Sequence, residues 1–141
     1  MESRPRPRLF VALFVAITWA AASFAVAGIL AVLLDRDPVQ SPAPVYAAPG
    51  ALVLAGVAVW LTVGFTAAAR TPWFGALAAA ASVYLVVVAI ALLGSFALFA
   101  EQASSPFVIA AAGLAAVAVV VTWWMLRGPH NAGLSGPSPY S

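Results

Sequence analysis

Four stretches of this chain carry no charged residue, and each is long enough to cross a lipid bilayer. Leu9 to Leu34 gives 26 such residues, Gly50 to Ala69 gives 20, Thr71 to Ala100 gives 30 and Gln102 to Leu126 gives 25. An α-helix rises about 1.5 Å per residue, so about 20 residues span a hydrocarbon core of about 30 Å. None of the stretches alternates polar and apolar side chains with a period of two, which argues against strands. Composition agrees: only 7% of the residues are charged, against about 25% in water-soluble domains, too few to build a water-facing surface. The reading is an all-α polytopic membrane protein, a four-transmembrane-helix bundle running up-down-up-down in one domain of 141 residues.

The helices are expected over about 9–34, 50–69, 72–100 and 106–127. Thr71-Pro72 and Ser105-Pro106 each offer a hydroxyl cap before a proline at the first helical position, where no N–H is missed. Pro49 can open the second helix in the same way, and Gly128-Pro129 closes the fourth. The segment 35–49 holds Pro38, Pro42, Pro44 and Pro49, so an extended, partly polyproline-like loop is expected. The residues at 128–141, rich in Gly, Pro and Ser, are expected to form a disordered cytoplasmic tail.

Orientation follows from the arginines, the only basic residues apart from one histidine. With the N-terminus inside, Arg4, Arg6, Arg8, Arg70 and Arg127 are all cytoplasmic, residues 1–8 forming a basic N-terminal segment. Arg36 stands opposite with Asp35, Asp37 and Glu101. That asymmetry sets an N-in/C-in topology, and Trp73, Trp123 and Trp124 fall at the inner interface as an aromatic belt would. A competing reading takes Arg4 to Arg8, the apolar run and Ala25-Val26-Ala27 as a cleaved signal peptide. The apolar stretch continues to Leu34, which favours a span. The localisation expected is the cytoplasmic membrane, with multiple passes.

The chain has no cysteine, which excludes disulfides and thiolate metal sites, and its one histidine, His130, lies outside every apolar run. No cofactor, metal site or catalytic residue is expected, nor any nucleic-acid partner, since the basic residues stand at helix ends. Asp35-Arg36-Asp37 resembles the paired carboxylates that hold a divalent ion in glycosyl transfer, but lacks the further oxygen ligands such a site needs, and reads better as a solvated helix end. Glu101-Gln102 closes the third run, where a carboxylate reaches water. Small four-helix multidrug exporters are similar in size and helix count, but they depend on an acid within the first membrane helix, and Leu9 to Leu34 has none.

Inside the runs, Trp19 and Trp60 each lie about 15 Å from the arginine side, and Ser23 and Tyr84 match in depth at about 21–23 Å. A tyrosine hydroxyl in lipid needs a partner, for which Ser23, Ser82 or a backbone carbonyl would serve. Trp19, Ser23, Trp60 and Tyr84 therefore form a candidate cluster, either the wall of an apolar-ligand pocket or helix packing, with packing preferred. Small residues four apart, such as Ala12-Ala16-Ala20 and Ser23-Ala27-Ala31, favour close helix association. Pro49, Gly56, Arg70 and Pro72 recur as Pro106, Gly113, Arg127 and Pro129 at an offset of 57, which reads as a duplicated hairpin or as the common needs of two outside-to-inside helices.

The Ala-, Val- and Arg-rich, lysine-free usage with four compact helices resembles small four-helix integral membrane proteins of GC-rich actinobacteria. No motif carries that resemblance, so it transfers no functional residue. The function expected is that of a noncatalytic accessory or scaffold protein, whose partners are membrane lipids and another membrane protein or itself. The alternatives are a subunit of an oligomeric transporter or pore, and a lipid- or quinone-binding protein.

Overall fold

A computed structural model of the chain describes residues 6–67 and 69–127, with side chains from Leu9 onward. Arg4, the Gly128-Pro129 helix end and the tail at 128–141 lie outside the described residues. Five helices follow in order: α1 (Arg6–Leu34), α2 (Ala47–Thr66), α3 (Trp73–Gly94), α4 (Phe96–Ala103) and α5 (Pro106–Arg127). Among the described residues there is no strand. Four of the helices are long and apolar enough to cross a membrane, α4 being the exception.

The spanning helices close a ring in which α1 packs on α2, α2 on α3, α3 on α5 and α5 on α1. The diagonal pair α2 and α5 also touch. Each helix turns a face of small side chains inward, Trp19 being the one large exception: Ala12, Ala16 and Trp19 from α1, Ala55, Val59 and Val63 from α2, Ala76, Ala79 and Val83 from α3, and Ala112, Ala115 and Val119 from α5. Residues three and four apart share one side of a helix. In lipid, burying an apolar side chain in the protein yields little, because the tails are as apolar as the side chains. What holds helices together is close van der Waals packing, which small residues allow, and interhelical hydrogen bonds.

α2 and α3 approach closely where Gly75 faces Thr66. A Cβ added to Gly75 would fall 2.7 Å from the Cβ of Thr66 and would overlap its hydroxyl and methyl as well. Thr66 is buried, and its hydroxyl turns back onto the Thr62 carbonyl at 2.6 Å. Glycine at 75 is thus a packing requirement of the short α2–α3 connection.

Several helix boundaries differ from those read in the sequence, and α1 begins at Arg6, about three residues before its expected start. The stretch expected as one helix over 72–100 is two, because Ser95 is extended (φ −169°, ψ 158°) and its Oγ accepts from the Leu98 N–H at 3.1 Å. That bond is an N-cap, which starts a new helix one residue after α3 ends at Gly94. α2 begins at Ala47 and ends at Thr66, about three residues earlier than expected. Pro49 therefore sits third in its first turn, where an N–H still has no partner to lose. Thr71 does not cap α3: Pro72 occupies the cap position, its carbonyl taking the Ala76 N–H at 2.8 Å. Pro106 does open α5.

Candidate functional site

α4 assembles the end of the bundle at which α1 finishes and α2 begins. The Glu101 carboxylate accepts the backbone N–H groups of Gln40 at 2.7 Å and Ser41 at 2.9 Å. Next to it, Gln102 is buried and donates its Nε2 to the Pro38 carbonyl at 3.1 Å. Prolines cannot donate, so this loop has few N–H groups to satisfy, and two of them close on one carboxylate. The Gln40 N–H holds the Glu101 carboxyl below its ordinary value of 4.5; partial desolvation opposes this, and the Ser41 contacts and the charge of Arg36 add to it. Glu101, read in the sequence as a carboxylate reaching water, is a clamp on the loop that joins α1 to α2. Beneath the clamp, Leu98 and Gln102 meet Ala47, Ala51 and Ala91 around a small apolar cavity of about 70 Å³.

Asp35 owes its place to the end of α1. Its φ is 46°, and the Arg36 N–H returns to the Ala31 carbonyl at 3.1 Å. Those are the left-handed residue and the long return bond of a Schellman helix end, for which aspartate is tolerated and glycine preferred.

Of the four interior residues singled out in the sequence, three reach a different segment each. The Trp19 indole N–H donates to the Ala111 carbonyl of α5 at 3.0 Å. Trp60 on α2 donates to the Leu9 carbonyl of α1 at 3.1 Å, and the Tyr84 hydroxyl on α3 to the Ala103 carbonyl at the end of α4 at 2.8 Å. Trp19 belongs to the core, and Trp60 and Tyr84 pack against it, but none of the four bonds another. The Ser23 hydroxyl oxygen is buried with no hydrogen-bond partner. The arrangement is a set of interhelical ties, each placing an aromatic donor on a main-chain oxygen. The Ala103 carbonyl at the end of α4 is one of those a helix terminus leaves without an intrahelical partner, so Tyr84 satisfies an orphan.

Two further ties were not legible in the sequence. Trp123 donates to the Ala69 carbonyl at 3.1 Å. Arg127 donates to the carbonyls of Arg70, at 3.2 Å, and Ala69, while its guanidinium stacks 4.9 Å from the Trp123 ring centroid. Arginine at 127, read as a topological signal, thus also binds α5 to the α2–α3 turn. Depth along each helix can be counted from sequence, but which neighbour's carbonyl a donor meets depends on rotation about the helix axis.

Beside these ties, an apolar groove of about 620 Å³ lies between α1 and α5, with Trp19 in its wall. Thr122 also lines it, with its hydroxyl spent on the Ala118 carbonyl at 2.7 Å. A bundle of four apolar spanning helices tied by donors to its own backbone defines an α-helical, multi-pass integral membrane protein. Comparison of the chain with protein-family models, with curated proteins and with solved structures finds no match.

Proposed function

We propose that this protein is a noncatalytic accessory or scaffold protein of the cytoplasmic membrane that acts by packing against another membrane chain. One observation carries the reading: the buried side chains of α1 all lie in its first half, and its second half keeps a broad exposed face. Ala12, Ala16 and Trp19 are buried, and no residue of α1 beyond Trp19 is. The outer half of that helix presents Ala21, Ala25 and Gly28 beside Phe24 and Ile29, all exposed, and a Cβ at Gly28 would meet nothing within 4 Å. Small residues flanked by large ones let a second helix approach closely. Trp19, Thr66, Tyr84 and Thr122 spend their polar groups on the chain's own backbone, which suits a part whose work is done on its outer surface.

The test is extraction in a mild detergent followed by purification of the intact chain. A membrane chain should co-purify in fixed ratio with the wild type and be lost in Gly28→Trp, while Leu77→Trp on the exposed face of α3 keeps it. A clean monomer, or equal loss in both variants, overturns the reading.

A further inference from the structure

The groove between α1 and α5 has dimensions and a setting that select its occupant. It runs from Val11 to Ala22 on α1 and from Leu114 to Leu126 on α5. By helical rise that is about 17 Å, close to half of a hydrocarbon core of about 30 Å. A volume of about 620 Å³ over that length leaves a mean cross-section of about 36 Å², wide enough for one hydrocarbon chain. The groove therefore takes a flexible hydrocarbon chain. The Trp19 N–H and Thr122 hydroxyl in its wall are already committed to main-chain oxygens. Charge fixes the other end of the occupant. The groove opens one residue from Arg127 and one turn from Arg8, on the side that collects five of the six arginines and one acid, Glu2. Arg127 uses two of its five N–H donors on the α2–α3 turn and has others to offer.

We propose that this groove seats one acyl chain of an anionic glycerophospholipid from the leaflet on the arginine side, with the phosphate at the level of Arg8 and Arg127. Ala22 apart, the site lies on the inner half of α1, and it does not depend on the packing role.

Native mass spectrometry of the full chain, released from nanodiscs holding equal phosphatidylglycerol and phosphatidylcholine, tests it. One phosphatidylglycerol per chain should be retained over phosphatidylcholine. Ala118→Phe, which fills the groove, should cut retention about tenfold, and Ala22→Phe on the facing wall should do the same. Arg8→Gln should reduce the preference for the anionic lipid about fivefold. Ala81→Phe, on the exposed face of α3, should leave both unchanged, with helix content checked by circular dichroism in every variant. Equal retention of the two lipids, retention unaltered in both groove variants, or equal loss in Ala81→Phe overturns the proposal.

Discussion

Gly75 and Thr66 meet where α2 hands over to α3, and no side-chain rotation relieves a methyl at 75, because the Cβ of Thr66 is itself in the way. Gly75→Ala should therefore separate the two helices and cost about 1–3 kcal/mol, read as a lower midpoint of thermal unfolding in detergent. Thr66→Ala in the same chain should restore part of the loss, since it removes the hydroxyl and methyl but leaves the Cβ. Glu101 carries a different dependence. Its carboxyl is held below 4.5 by the Gln40 and Ser41 N–H groups, so the folded pKa lies under the unfolded one. The stability it contributes is complete above the unfolded value and is lost as pH falls through the folded value. The amide resonances of Gln40 and Ser41 should shift in acid along one titration curve whose midpoint lies below the ordinary carboxyl value. In Glu101→Gln that acid shift should vanish. Neither residue's role was open to sequence reading: Gly75 is one glycine among ten, and the partners of Glu101 lie 60 and 61 positions away.

Among the elements, α4 is the one that hydropathy conceals. Thr71 to Ala100 is a single uncharged run, and nothing in its apolar content marks the turn that cuts it. The mark is chemical: Gly94 followed by Ser95, a residue that ends helices beside one that starts them. The spanning helices were legible because length and charge suffice to find them, whereas their boundaries moved where backbone bonds, rather than hydropathy, decide the first turn. Ser95→Ala should cost about 1 kcal/mol. Because α4 carries Glu101 and Gln102, that loss should extend to the loop, with hydrogen exchange at Gln40 and Ser41 quickening more than at the core of α5. Faster exchange confined to α4 would show that the cap and the clamp are independent.

For the molecule as a whole, the helices that share the offset of 57, α2 and α5, stand diagonally across the bundle. The other diagonal pair repeats in burial although not in sequence: Ala12, Ala16 and Trp19 of α1 have the spacing of Pro72 at the cap of α3 and Ala76 and Ala79 within it. The ties do not share this symmetry, since Trp123 and Arg127 reach the α2–α3 turn while Trp60 reaches the start of α1. Orientation is open to a direct test, because the chain has no cysteine of its own. In intact cells, a membrane-impermeant thiol reagent should label Val45→Cys on the outer loop and leave Thr71→Cys untouched until the membrane is opened. The reverse pattern would invert the topology.

The clamp at Glu101 and Gln102 also orders events in time. Gln40 and Ser41 leave the ribosome some sixty residues ahead of the side chains that hold them. The first helical hairpin must therefore enter the bilayer with its connecting segment unfastened, and the segment is fastened only after α4 has been translated. Chains are made from the N-terminus, and contacts between distant positions close late. A nascent chain stopped before Phe96 should thus have its first two helices in place and its outer surface still open to protease, so the latching of that loop reports that synthesis has passed the third crossing.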